Sequence, residues 1–66
     1  MNKPLGIIIP VYNEAKNISK TLTTIEEKVT TPNRIYIVYD FDEDNTLPVA
    51  REFLRKGMDI EPAPVA

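Results

Sequence analysis

The stretch IIIPVYNEAKNI, Ile7 to Ile18, runs from apolar residues straight into Pro10, Tyr12, Asn13 and Glu14. A plain buried strand needs none of these four. Tyr12 offers a flat face on which a base can stack, and a hydroxyl. Asn13 can turn the chain or hydrogen-bond its own backbone. Glu14 can accept hydrogen bonds from the two hydroxyls of a ribose. A second polar cluster, DFDEDN, begins at Asp40, whose carboxylate can accept from the N–H edge of a base. Together these groups would read a nucleoside without touching its phosphates. Each also has a plainer reading. Tyr12 can be packing, Asn13 a turn residue, Glu14 a charge favouring a helix N-terminus, and Asp40 a solvated strand end.

Two strands must position these clusters. Leu5 to Ile9 reads as a short strand, apolar on both faces, of the kind found in the middle of a helix-covered sheet. Pro10 ends its ladder or lies just beyond it. A helix is expected to start near Asn17 as its cap, with Ile18, Leu22, Ile25 and Val29 as its apolar stripe. Pro32 stops it. Arg34 to Tyr39, RIYIVY, has strand composition. A second helix follows, capped by Thr46, tolerating Pro48 in its first turn, and burying Leu47, Ala50, Phe53 and Leu54. Gly57 is its stop. Met58 to Ile60 begins a third strand, and EPAPVA reads as a Pro-rich tail. The expected organisation is therefore an α/β unit over residues 1–60 and a tail over 61–66. Its β-α-β crossover should be right-handed. In open parallel sheets ligands bind beyond the carboxyl ends of the strands, where both polar clusters fall. So thin a structure reads as a fragment of a larger parallel-sheet domain, completed by a missing C-terminal part or by self-association at its strand edges.

Composition narrows the chemistry. The 66 residues contain no Cys and no His, which removes disulfides, thiolate zinc sites and the usual neutral-pH base. A formal charge of -2 with mixed signs leaves no basic stripe for nucleic acid. No apolar run approaches the ~20 residues of a membrane span. Pro10, Asn13 and Glu14 break the only apolar run early, which argues against a signal peptide. The expected location is the cytoplasm or the cytoplasmic face of a membrane.

The motifs resemble a known family. IIIPVYNEAKNISKTL resembles the opening of family 2 glycosyltransferases, including polyprenyl-phosphate sugar synthases, where the first strand ends in Pro-x-Tyr-Asn-Glu. Pro10, Tyr12, Asn13 and Glu14 match that pattern. IYIVYDFDEDNT stands where the family has Asp-Asp-Gly-Ser-x-Asp-x-Thr. Asp40, Asp44 and Thr46 match, while Tyr39, Phe41 and Asp42 replace the first Asp, the Gly and the Ser. The resemblance covers roughly residues 5 to 56. It implies the β-α-β-α opening of a Rossmann-like GT-A domain that binds a UDP- or GDP-sugar. Donor contacts would come from the backbone near Pro10 and from Tyr12, Asn13, Glu14 and Asp40. The family's Mg²⁺- or Mn²⁺-holding Asp-x-Asp motif, its catalytic base and its acceptor half come later than this chain reaches. No catalytic or metal-ligating residue is therefore assigned, and the chain alone is expected to be inactive.

DEDNTL, Asp42 to Leu47, also resembles the Asp-x-Asp-x-Thr of haloacid dehalogenase-like phosphohydrolases. That resemblance would make Asp42 a nucleophile, Asp44 a general acid/base and Thr46 a phosphate-loop residue, with Mg²⁺. Glu43 stands where the motif is usually apolar, and a whole β-α unit precedes it. A third reading is a non-catalytic scaffold or interaction piece of the same fold.

Overall fold

The computed structural model describes residues 4–65. Residues 1–3 and 66, at the outer ends of the two expected units, lie outside the described residues. The elements run β1 (Leu5–Pro10), α1 (Ala15–Lys28), β2 (Asn33–Tyr39), α2 (Thr46–Arg55) and β3 (Ile60–Pro64). The strands form one parallel sheet in the order β1-β2-β3. The expected α/β architecture is observed, with a third strand longer than the sequence suggested.

One core holds the sheet to both helices. Ile18 and Leu22 of α1 and Leu47 and Ala50 of α2 pack with Ile35, Ile37 and Ile60 of the sheet. Both helices therefore cover the same face. The strand order advances in one direction, so its two crossovers share one hand. Along β2 the consequence is visible as alternation: Ile35 and Ile37 are fully buried, whereas Tyr36 and Val38 on the other face are half-buried. Burial of a Leu or Ile side chain contributes about 2 kcal/mol, so these few residues carry most of the hydrophobic drive.

Several local expectations are corrected. Among the described residues β1 pairs with β2 alone, and Ile8 on its far face from the core is 69% exposed. α1 begins at Ala15, so Asn17 lies inside its first turn and bonds its side-chain amide to Glu14 Oε2 at 3.3 Å. Thr46 is the first residue of α2 and not its cap, for a reason set by its partners below. Leu54 is 42% exposed, beside the stripe and not in it.

The tail reading of 61–66 fails because Pro was assumed to break the ladder. Residues 61–64 pair in register with β2. The Ile35 amide donates to the Asp59 carbonyl, and the Val65 amide donates to the Tyr39 carbonyl, both at 2.9 Å. Asp59 and Val65 are an even number of residues apart, so Glu61 and Ala63 also turn their backbone groups toward β2. Pro62 and Pro64 then point their nitrogens away from β2, where no donor is needed.

α2 ends as expected at Gly57, with φ 111°. The Gly57 amide bonds the Leu54 carbonyl at 3.0 Å and the Met58 amide bonds the Phe53 carbonyl at 3.1 Å, a Schellman stop. Nothing lies within 4 Å of a Cβ built there, so only the backbone conformation selects Gly. In urea titrations followed by circular dichroism, Leu22→Ala should cost about 3 kcal/mol through its cavity. Gly57→Ala should cost about 1 kcal/mol through backbone strain alone. A neutral Gly57→Ala would contradict that account.

Candidate functional site

The two polar clusters leave the sheet at the same rim. The Val11 amide donates to the Val38 carbonyl at 2.9 Å, which ties the end of β1 to the end of β2. Tyr12 follows directly and is 68% exposed. Its ring meets Phe41 edge-on, with centroids 5.6 Å apart and planes at 61°. Asp40, exposed, precedes Phe41 at the end of β2. Tyr12 and Asp40 thus share one edge of the fold, with Phe41 between the loops. Pro10 is the exposed last residue of β1.

Asn13 and Glu14 are placed differently from simple ligands. Asn13 adopts φ 49°, a left-handed conformation that Asn tolerates well. Its Oδ1 accepts the Asn45 amide at 3.1 Å. Its own amide donates to both carboxylate oxygens of Asp44 at 3.1 Å. The Glu14 amide donates to Thr46 Oγ1 at 2.8 Å, and the Ala15 amide to Asn45 Oδ1 at 3.1 Å. Three successive amides at the start of α1 are therefore capped by three successive side chains from the start of α2. The Glu14 carboxylate stays half-buried at the rim, accepting from Asn17.

Asp44 is the centre of this clasp. It is 1% exposed and also accepts the Thr46 amide at 2.8 Å. Burial opposes its charge, but the hydrogen bonds from Thr46 and from the Asn13 amide outweigh that and hold its pKa below the ordinary Asp value. Thr46, fully buried, is committed to the Glu14 amide, which explains why it does not serve as the cap of its own helix. The sequence singled out Asp44 and Thr46 for other roles and passed over Asn45. The signal was there, since consecutive Asp, Asn and Thr are the residue types that cap amides. Their caps happen to be on the neighbouring helix, some thirty residues away in the chain.

The clasp decides two chemical questions. A general acid/base must exchange protons with a substrate, and Asp44 is enclosed, ionised and accepts backbone amides on both oxygens. Thr46 is equally inaccessible. The phosphohydrolase assignment of these two residues is therefore corrected to a structural one. The amides of Asn13, Glu14 and Ala15 at the start of α1 are already bonded and so are not offered to an anion. Among the described residues no three carboxylates converge to hold a metal ion. Asp44 is turned inward, with both of its oxygens accepting backbone amides. A shallow cleft of about 220 Å³ lies elsewhere, at the amino ends of β2 and β3, lined by Ile25, Glu26, Val29, Asn33, Gly57, Met58 and Asp59.

Because the folded-state pKa of Asp44 is depressed, its stabilisation is complete above the unfolded value of about 4. It is lost as pH falls through the folded value. Asp44→Asn should cost about 2 kcal/mol at pH 7, since hydrogen bonds to a charged acceptor are replaced by an amide facing amides. The gap from the parent chain should narrow steadily below about pH 4 in urea titrations at stepped pH. A gap independent of pH would show that the charge of Asp44 is not what matters.

The sequence model of the family described as Glycosyl transferase family 2 matches residues 6–62. No curated protein and no solved structure matches the chain. The matched span takes in both polar clusters, all of β2 and parts of β1 and β3, and the parallel β-α-β-α-β order is that of a part of a Rossmann-like GT-A domain. By that match, which extends over most of its length, the chain belongs to glycosyl transferase family 2.

Proposed function

We propose that the rim formed by Tyr12 and Asp40 holds the nucleoside of a UDP- or GDP-sugar in an inverting sugar transfer. The observation that carries this reading is the junction of Val11 with Val38, which brings an exposed aromatic face and an exposed carboxylate to one edge. Tyr12 stacks on the base, and Phe41, edge-on to it, fixes the tilt of its ring. Asp40 accepts a hydrogen bond from the N–H edge of the base. Glu14 accepts from the ribose hydroxyls. Pro10 and Asn13 act through the backbone, the first by ending β1 and the second by turning the chain so that Tyr12 projects outward.

The same reading sets the division of labour within such an enzyme. Transfer with inversion needs a base to take the acceptor hydroxyl's proton and a divalent cation, Mg²⁺ or Mn²⁺, to stabilise the departing diphosphate. The described residues supply neither. The 66 residues would therefore bind the nucleoside and leave catalysis to other residues, and the chain by itself would be inactive in transfer. A polyprenyl phosphate is one acceptor class within the family that the first motif resembles, and with it the reaction would lie at the cytoplasmic face of a membrane.

Titration of the chain with UDP and with GDP, followed by amide chemical shifts, tests the site. Shifts should cluster at Tyr12, Asp40 and Phe41. Tyr12→Ala and Asp40→Ala should each weaken binding by about tenfold, in line with the value of one base stack or one base hydrogen bond. Both residues are exposed, so the variants should keep the parent circular dichroism spectrum. Parent-like affinity in both variants would remove them from the site.

A further inference from the structure

The hydrogen bonds that join the two rim loops are of two kinds. Asp44 and Thr46 make theirs in the interior, at 1% and 0% exposure. Asn13 and Asn45 make theirs at the surface, where both residues are exposed. In the surface pair each side-chain carbonyl accepts an amide of the opposite loop. Asn13 Oδ1 accepts the Asn45 amide, and Asn45 Oδ1 accepts the Ala15 amide, both at 3.1 Å. Asn45 stands at the N-cap of α2, yet its side chain makes no capping bond to that helix. The Thr46 amide is served by Asp44 instead, and the Asn45 side chain reaches across to α1. A residue type that caps its own helix well is thus joined to the neighbouring loop.

We propose that Asn45 is a positioning residue for the rim, presenting Tyr12 and Glu14 to a nucleoside through Asn13 and Ala15. This rests on reading the rim as the nucleoside site. The two bonds of Asn45 reach Asn13, directly after Tyr12, and Ala15, directly after Glu14. The loop that carries Phe41 is tied to the same point. The Asp44 amide donates to the Phe41 carbonyl at 3.2 Å and closes the turn that leads into Asn45. Tyr12 and Phe41 meet edge-on across that link. The identity of residue 13 agrees with this role. Gly would suit φ 49° at least as well, but it lacks the acceptor that Asn13 offers to the Asn45 amide. Hydrogen bonds at the surface add little to folding, because water replaces them when they break. They still set which loop conformation predominates, and affinity falls with the population of the competent one. The interior bonds of Asp44 and Thr46 hold the fold, and the surface pair aims the rim.

Three readouts on Asn45→Ala and Asn45→Asp test this: nuclear Overhauser contacts between the Tyr12 and Phe41 rings, affinity for UDP and GDP, and the urea midpoint. Asn45→Ala removes the acceptor for the Ala15 amide and keeps the backbone donor. It should weaken the ring contacts and lower affinity about threefold for whichever nucleotide the parent binds. Its urea midpoint should move by less than about 0.5 M. Asn45→Asp restores the acceptor and should return ring contacts and affinity to parent values. Asn13→Gly, which keeps the left-handed backbone and loses Oδ1, should behave as Asn45→Ala does. Parent-like ring contacts and affinity in Asn45→Ala would overturn the proposal. So would a midpoint that falls while the rings stay in contact, since Asn45 would then be only a cap of α1. A loss that Asn45→Asp leaves unrestored would also overturn it. If the parent binds neither nucleotide, the nucleoside reading fails by itself, and the ring contacts in Asn45→Ala still decide whether Asn45 sets the rim.

Discussion

One carboxylate organises the carboxyl rim of this sheet. Asp44 sits where the amino ends of α1 and α2 meet and accepts amides from both, Asn13 on one side and Thr46 on the other. A negative charge at that point is favourable to two helix dipoles at once. It also satisfies backbone donors that have no partner within either helix. The cost of burying the charge is offset by the density of donors around it, which is why the group stays ionised. Asn45 and Thr46 extend the contact in the same direction, so the two loops behave as one body.

That rigidity bears directly on the site. Tyr12 immediately precedes the clasped residues and Phe41 lies three positions before Asp44. Neither aromatic is buried deeply enough for packing alone to hold it. The loops that carry them are held by hydrogen bonds to Asp44, Asn45 and Thr46, and the two rings meet as a result. The clasp thus separates two jobs. Inward-facing polar groups set the shape of the rim, and outward-facing ones, Tyr12 and Asp40, remain available to a ligand. It also occupies the amides of Asn13, Glu14 and Ala15 at the start of α1.

The core has a complementary constraint. Both helices lie on one face, so Ile35 and Ile37 are sealed while Tyr36 and Val38 are only half-covered. β2, paired on both sides, is the strand around which the rest is built. Its neighbours differ in kind. β3 carries Pro62 and Pro64 with their nitrogens turned away from β2, and β1 runs between Pro4 and Val11 with Pro10 as its last residue. The same residue type that makes the carboxyl-terminal segment look unstructured in sequence is compatible with a strand when its nitrogen faces outward.

The amino-acid sequence by itself determined the elements. Apolar spacing of four and then three at Ile18, Leu22 and Ile25 marks α1, the β-branched run at Arg34 to Tyr39 marks β2, and Gly57 marks the end of α2. These signals are local, because a helix stripe or a strand run is written in residues a few positions apart. The Pro-x-Tyr-Asn-Glu motif and its family were legible for the same reason. Tertiary structure alone decided which polar residues face the ligand rim and which close it. Asp44 and Thr46 stand at the end of an acidic run whose local sequence also resembles a catalytic pair. Their partners, the amides of Asn13 and Glu14, lie about thirty positions away and come within reach only after β1 and β2 pair. The place of β1 beside β2 was undetermined for a similar reason. Apolar character on both faces does not say whether a neighbouring strand is present, since strand order is set by pairing across the sheet and not by any residue within the strand.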